Sequence, residues 1–354
     1  MKHILVINPG STSTKIAVYE DEQQVFVTDI AHSLEELSHF ERVADQLPFR
    51  ERLVAQELAN RGIPMDFDAV IGRGGLAKPV ESGVYRINDK MMDDSRNALH
   101  QHACDLGCLI AYDMAAAISG CQSFMADPGT VDELSPLARI SGSPMLPRIC
   151  IWHALNQKAI ARRFAREHGT TYEALRLIIC HLGGGISIAA HVRGRAIDAN
   201  NALDGEGPFS PERAGSLPAA DLIRLCFSGR FSQDELLRRV AGGAGLTAHL
   251  GTNNMKEIGR RIADGDEHAK LIVDAMIWHT AKAIVAEGAV IEGRPDAILL
   301  TGGMARSAYV VENLRKRIEW LAPTYVYPGE NEMLALAENA LAVLQGEREA
   351  KVYE

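Results

Sequence analysis

Short apolar runs broken by turns of Gly, Pro, Ser and Thr set the pattern of this chain. Ile4-Leu5-Val6-Ile7 and Ile16-Ala17-Val18-Tyr19 flank Asn8-Pro9-Gly10, a β-hairpin signature because Pro fixes φ and Gly tolerates positive φ. Residues 23–30 read as a third strand, and Ser33 with Glu36 has the capping-box spacing that opens a helix. A helix is expected over 50–60, stopped by Gly62 and Pro64, and a strand at 69–71 runs into Gly72-Arg73-Gly74-Gly75. A long helix over 93–119 precedes a strand at 123–126 that delivers Asp127. The spacing over 151–167 is that of an amphipathic helix, with Lys158, Arg162, Arg163 and Arg166 on its exposed face. Residues 177–192 repeat the opening pattern of apolar run, glycine turn and alternating run, 173 positions after the first if His181 is set against Asn8. A third apolar run, 297–301, breaks into Gly302-Gly303-Met304, and 331–345 reads as a terminal helix. Three strand-to-glycine turns in this order predict duplicated domains that each open with a hairpin and grip a ligand.

The turns carry the candidate chemistry. Ser11, Thr12, Ser13 and Thr14 offer hydroxyls, exposed amides add donors, and Lys15 supplies positive charge, which is what a phosphate entering a tight turn requires. The GxxxxGK[ST] spacing of a Walker loop is absent. Arg73, between glycines at a strand end, suits a fork-shaped partner for carboxylate or phosphate, and an ordinary surface turn would look the same. Asp127 at a strand end is a candidate metal ligand; Asp132 and Glu133 are either a functional pair or an exposed helix cap. Taken alone, His153 reads as a core or capping histidine.

At 354 residues the chain is long enough for two domains. Hydrophobic residues make up 47% and charged residues 23%, and no apolar run reaches membrane-spanning length, so a soluble globular protein is expected. Only Lys2 and His3 precede the first short strand, too little for a secretory leader, and the expected location is the cytoplasm. A net charge of −9 with both signs interspersed argues against nucleic acid as a partner. Six cysteines without CxxC spacing fit reduced thiols. His100, Cys104 and Cys108 fall at i, i+4, i+8 on the expected long helix, a conceivable metal face but a more ordinary core stripe.

Several long, ordered motifs resemble one family. INPGSTSTKIAVY, HLGGGISIAA and LLTGGMA resemble the two phosphate motifs and the adenosine motif of the acetate and sugar kinase, Hsp70 and actin superfamily. Together with GRGG, ADPGTVDEL, IWHALNQKAIAR, GPFSPERAGSLP and YPGENEMLALAENAL they resemble the acetate kinase family across essentially the whole chain. HLGGG stands where acetate kinases carry HLGNG, and GGMARS where they carry a GIGEN-like segment; both departures resemble the family's butyrate branch and leave the parts of Asn253 and Asn254 open.

The resemblance implies an α/β fold of two duplicated actin-like domains, each a mixed sheet flanked by helices, with the active-site cleft between them. Its expected bounds are 1–132 plus 333–354 for an acid- and phosphate-binding domain and 133–332 for a nucleotide-binding domain. It implies that Asn8, Ser11, Ser13 and Lys15 contact the transferable phosphate or metal-bound water, and that Arg73 and Arg213 clamp the carboxylate and the phosphoryl group. Asp127 and Glu332, with Asn8, would hold Mg2+, and His153 would hydrogen-bond the group in flight. The backbone of Gly183, Gly184 and Gly185 would cover nucleotide phosphates, and that of Gly302, Gly303 and Met304 would face adenosine. The expected reaction is ATP-dependent phosphorylation of a short-chain carboxylate, butanoate + ATP = butanoyl phosphate + ADP, in a homodimer or higher homo-oligomer. An acetate, propionate or branched-acid kinase, a sugar kinase using Asp127 as base, and an ATPase switch are the alternatives.

Overall fold

The computed structural model describes residues 1–98 and 102–354. Two compact units divide it, Met1–Val131 with Asn331–Glu354, and Asp132–Glu330.

In the first unit the opening apolar runs form β1 (His3–Pro9) and β2 (Ser13–Glu20), followed by β3 (Gln23–Ala31). β4 (Ala69–Arg73), β5 (Val84–Arg86), β6 (Gln122–Ala126) and β12 (Lys351–Val352) complete a seven-stranded sheet of order β12-β5-β6-β4-β1-β2-β3. β1 is antiparallel to β2 and parallel to β4, which is parallel to β6. Helices α1 (Leu34–Ser38), α2 (Leu47–Asn60), α3 (Asp89–Arg96), α4 (Leu106–Ala116) and α12 (Glu332–Leu344) accompany it. The central strands are buried on both faces, as parallel neighbours covered by helices must be, whereas β3 alternates exposed and half-buried positions at the sheet edge.

The second unit contains β7 (Arg176–Leu182), β8 (Ile186–Val192), β9 (Arg195–Ala199), β10 (Ala297–Gly302) and β11 (Thr324–Pro328), in the order β11-β10-β7-β8-β9. Its helices are α5 (Ala154–Glu167), α6 (Ala219–Cys226), α7 (Gln233–Arg238), α8 (Gly245–Leu250), α9 (Met255–Ala263), α10 (Glu267–Val290) and α11 (Ala308–Ile318). β7, β8 and β9 form an antiparallel meander, and β7, β10 and β11 run parallel. The first sheet has the same plan: the meander β1-β2-β3, with β4 and β6 added parallel to β1. The repeated glycine turns of the sequence thus correspond to a repeated topology, each unit with its own core.

Four expectations from the sequence need correction. The long helix over 93–119 is instead α3, a 3-10 turn at Ala103–Asp105, and α4. Asp105 accepts from the main-chain N of His102 at 2.9 Å and of Leu76 at 2.6 Å, and this cap restarts the helix inside an apolar stretch that periodicity alone reads as continuous. His100 lies outside the described residues; Cys104 and Cys108 are buried free thiols, and among the described residues no three His, Cys, Asp or Glu side chains are grouped to hold a metal. α2 starts at Leu47 rather than 50, since Pro48 is tolerated in the first turn, where its missing N–H has no intrahelical partner to lose. Lys158 is fully buried, its ammonium donating to Glu133 at 2.8 Å and to the Gly194 carbonyl at 3.1 Å. Glu133 is therefore a structural counter-ion and no helix cap, while Asp132 accepts a bidentate pair from Arg139 at 2.6 and 2.8 Å.

Candidate active site

Each sheet collects its candidate residues at the carboxyl ends of its parallel strands. In the first unit the parallel registers set Ile7 beside Gly72 and Arg73 beside Ala126. Asn8, Arg73 and Asp127 therefore leave three neighbouring strand ends, the edge of an open α/β sheet where ligands bind.

Close backbone approach explains why Arg73 follows a glycine. A Cβ on Gly72 would collide with the main chain of Gly107 in α4. Bare backbone at both positions lets α4 press against β4 and hold the strand end that carries Arg73. The guanidinium donates from Nη1 to Glu332 Oε2 at 3.1 Å and to Asn8 Oδ1 at 3.4 Å, and Asn8 Nδ2 donates to the same Glu332 oxygen at 2.7 Å. Glu332, in the first turn of α12, is nearly buried. It neutralises Arg73 in part and aims it, a connection over 259 positions that no sequence pattern announces.

Asp127 has a positive φ of 39° and is 2% exposed. For a non-glycine residue this backbone is uncommon and clusters at functional sites. Its Oδ1 accepts from Ser82 Oγ at 2.7 Å and from the Gly83 main-chain N at 2.9 Å, which fixes the carboxylate.

In the β1–β2 hairpin, Asn8 and Lys15 are directly paired, so their side chains share one face, with Lys15 exposed. Gly10 N donates to the Ser13 carbonyl at 2.8 Å to close the turn, and Ser11 is exposed at its tip. Beneath it lies a residue that no local pattern singles out, Arg50 of α2, with no exposed surface. Its Nη1 donates to the carbonyls of Gly10 and Ser13 at 2.8 and 2.9 Å and to Thr14 Oγ1 at 3.1 Å, and its Nη2 to the Ser11 carbonyl at 3.3 Å. Gln46 Oε1 accepts from Nη2 at 2.8 Å and from Nε at 3.1 Å. Burial lowers the Arg50 pKa to about 10, so it stays charged at neutral pH.

In the second unit the glycine turn Gly183-Gly184-Gly185 joins β7 to β8 and packs on the segment 210–213. Ser210 Oγ donates to the Gly184 carbonyl at 2.6 Å, and Glu212 N to the same carbonyl at 3.2 Å. Arg213 donates to the Ala202 carbonyl at 2.8 Å, and a Cβ on Gly185 would land on its guanidinium. Asn253, whose part the sequence left open, donates to Glu212 Oε1 at 2.6 Å. At the end of β10, Gly302 and Gly329 exchange two main-chain hydrogen bonds, of 3.2 and 2.9 Å, and Gly303 and Met304 begin a 3-10 turn with Met304 buried.

His153 caps α5, and its ring stacks on that of His181 from β7 with centroids 3.8 Å apart and planes 12° from parallel. Its Nδ1 lies 2.8 Å from Ser187 Oγ on β8. His181 Nδ1 is 3.0 Å from Asn156 Oδ1, and its Nε2 is 3.3 Å from Glu330 Oε1. His181, Ser187 and Ser210 were missed in the sequence because each sits in an apolar or turn context with an ordinary structural explanation.

The structure thus groups Asn8, Arg73 and Glu332 by direct hydrogen bonds and puts Asp127 on the adjoining strand end. It groups Arg213 with Gly183 to Gly185, and His153 with His181 and Ser187.

Comparison with known proteins agrees with this architecture. Residues 148–333 match the model of the acetokinase family. A protein of Bacteroides thetaiotaomicron described as a probable butyrate kinase is 62% identical over 351 residues, 99% of each chain. Butyrate kinase 2 of Clostridium acetobutylicum is 46% identical over 353 residues, again 99% of each. Among solved structures, the acetate kinase of Porphyromonas gingivalis superposes with a TM-score of 0.80 at 16% identity, covering 97% of this chain and 100% of that one. A propionate kinase from Francisella tularensis gives a TM-score of 0.77 at 18% identity, covering 96% and 99%.

Proposed function

The chain belongs to the acetokinase family, and from that premise we propose that it transfers the γ-phosphoryl group of ATP to a four-carbon acid, butanoate + ATP ⇌ butanoyl phosphate + ADP. Membership makes it a phosphotransferase with a carboxyl group as acceptor. The choice of butanoate is supported by full-length relatives that carry that name.

The observation that carries the mechanism is the Arg73 guanidinium, aimed by Glu332 and Asn8 at the carboxyl ends of β1 and β4. A carboxylate, with a pKa near about 4 to 5, is already ionised at neutral pH and needs no general base. It needs its repulsion from an anionic phosphoryl donor removed, and fixed positive groups do that. In this reading Arg73 holds the acceptor carboxylate, and Asn8, Ser11, Ser13 and Lys15 hold the phosphoryl group in transfer. The amides of Gly183 to Gly185 cover the nucleotide phosphates, and Gly302, Gly303 and Met304 face adenosine. Arg213 and His153 donate to phosphoryl oxygens as charge shifts toward the leaving group.

Asp127 and Glu332 are the residues that would hold Mg2+, with Asn8 as an oxygen donor. An all-oxygen set of two carboxylates and an amide suits a hard cation that ordinarily binds through one or two carboxylates and the substrate's phosphates. When bound with ATP, Mg2+ supplies further neutralisation of phosphate charge. Among the described residues no helix is long and apolar enough to cross a membrane. We place the enzyme in the cytoplasm as a homodimer or higher homo-oligomer, the assembly that the family resemblance implies.

A hydroxamate assay with ATP and Mg2+ across acetate, propionate, butyrate, isobutyrate and valerate tests the reading, with glycerol and glucose followed by ADP release. Turnover is expected to peak at four or five carbons. No hydroxamate with any acid, but ADP release with a polyol or with no acceptor, would move the assignment to a sugar kinase or an ATPase switch.

Gly185→Ala tests the part that this reading gives the second unit. Its Cβ would displace the flexible end of the Arg213 side chain rather than backbone, so thermal stability should hold while kcat falls by about 10-fold, part of the loss expected for a transition-state charge partner. Wild-type kcat with the methyl present would remove the Arg213 guanidinium from the mechanism.

A further inference from the structure

We propose that buried hydrogen bonds from Gln157 and from the His153 main-chain N to Ser187 Oγ hold His153 as the tautomer protonated on Nε2 alone, which makes Ser187 and Gln157 positioning residues for phosphoryl transfer. This rests on the reading of His153 as a donor to the transferred group.

The proton positions follow one from another, starting at a main-chain carbonyl. One end of the Gln157 carboxamide lies 3.1 Å from the Ser187 carbonyl oxygen, which only accepts, so that end is the NH2 group. The other end is therefore the oxygen, and it lies 2.9 Å from His191 Nε2, which must donate. His191 is fully buried, and burial together with the nearby Lys158 charge holds its pKa well below the ordinary histidine range, so it is neutral. Its Nδ1 then has a lone pair, which accepts the phenolic proton of Tyr172 at 2.6 Å.

Gln157 Nε2 also donates to Ser187 Oγ at 3.0 Å, and the main-chain N of His153 donates to that oxygen at 3.2 Å. Both lone pairs of the hydroxyl are thereby taken. Its one proton is left for His153 Nδ1, 2.8 Å away. An Nδ1 that accepts cannot carry a proton, so the imidazolium and the Nδ1–H tautomer are both excluded while the chain is intact. His153 is left with a single N–H at Nε2, a neutral donor of fixed direction. The stack on His181 restrains the ring plane, and the hydrogen bond to Ser187 its rotation about the side chain.

Every link is buried or half-buried, and the chain uses residues of α5, β8 and the 3-10 turn at Tyr172–Ala174. A neutral donor has a physical advantage at this point. It stabilises a phosphoryl oxygen without offering a proton to the acyl phosphate.

Nitrogen-15 NMR of the full chain labelled at histidine reads the tautomer directly, with the His153 resonances assigned by their absence from His153→Gln. Nδ1 is expected to be unprotonated and hydrogen-bonded, and Nε2 protonated, on both sides of neutrality. A protonated Nδ1 in the unmutated protein would overturn the proposal, whatever the variants do. In kinetics, Ser187→Ala should lower kcat by about 10- to 100-fold, the scale for losing a partner that orients a histidine, with KM for ATP and acid unchanged. Ser187→Thr should restore kcat, because it returns the hydroxyl. Tyr172→Phe should leave the His153 tautomer as it is, since the Ser187 carbonyl and not Tyr172 orients Gln157. Wild-type kcat in Ser187→Ala would also overturn the proposal. His153→Gln separates the premise: undiminished turnover there would end the catalytic reading of His153 while leaving the tautomer to be decided by its own spectrum.

Discussion

Arg73→Ala is expected to lower kcat for hydroxamate formation by about 10² to 10³-fold, the range seen when a preorganised partner of transition-state charge is removed, with the protein still folded. The size follows from what the guanidinium does and from what its loss does to its neighbours. Glu332 would keep the Asn8 amide at 2.7 Å but lose the fixed guanidinium, so less positive charge would offset an almost buried carboxylate where two further anions must meet. Repulsion would then replace attraction at the acceptor. Stability should change less, because the Arg73 side chain is 29% exposed and the pair is reachable by solvent; a loss of no more than about 3 kcal/mol is expected for the unmade charged hydrogen bonds. Arg73→Lys restores charge without the fork and should recover only part of the rate. A rise in the KM for the acid with kcat unchanged would mean that Arg73 only binds the ground state. Unchanged kcat and KM would remove it from the site.

How much of this was legible in the sequence depends on the range of the interaction. The hairpins were legible because alternation and turn chemistry are local: Asn8-Pro9-Gly10 between two β-branched runs has few other outcomes. Their repetition carried further, since the same hairpin opens both halves; that the sheets share one plan, β3-β2-β1-β4-β6 and β9-β8-β7-β10-β11, is visible only in the structure. Lys158 was misread because a basic residue on an amphipathic helix is normally solvated, and only the fold brings Glu133 to it. The break at His102 and Asp105 was hidden by apolar residues on both sides of a polar cap. Arg73 was found as a candidate, but its partner lies 259 positions away. Ser187 and Gln157 look like an ordinary strand serine and an ordinary helix glutamine until their partners are known. Local patterning thus supplied the frame and some of the candidate groups, the family resemblance supplied the others, and tertiary contacts supplied the residues that hold them in place.

Arg50 belongs to that second kind, and Arg50→Ala should destabilise the protein more than Arg73→Ala does. The guanidinium is completely enclosed and, among the described residues, has no carboxylate as a hydrogen-bond partner; its ligands are the carbonyls of Gly10, Ser11 and Ser13, Thr14 Oγ1 and Gln46 Oε1. A buried cation satisfied by dipoles is costly to maintain, as the lowering of its pKa to about 10 by burial records. The turn's shape is expected to depend on it. Removing it leaves a cavity and takes a donor from the carbonyls of Gly10, Ser11 and Ser13, of which Ser13 keeps the Gly10 N–H, and the expected loss is about 3 to 5 kcal/mol, a cavity contribution plus unmet polar groups at about 1 to 3 kcal/mol each. Urea unfolding measures this. The same change should reduce kcat by about 10²-fold at temperatures where the variant is folded, because carbonyls no longer gathered beneath the turn leave the amides and hydroxyls of Ser11 and Ser13 unaligned for phosphate. Arg50→Lys separates charge from geometry: an ammonium reaches one or two of those oxygens, so stability should recover more than turnover does. If Arg50→Ala unfolds at the wild-type urea midpoint, the hairpin holds itself together. If it is destabilised but turns over at the wild-type rate when folded, Arg50 supports the first unit's core and has no part in shaping the phosphate turn.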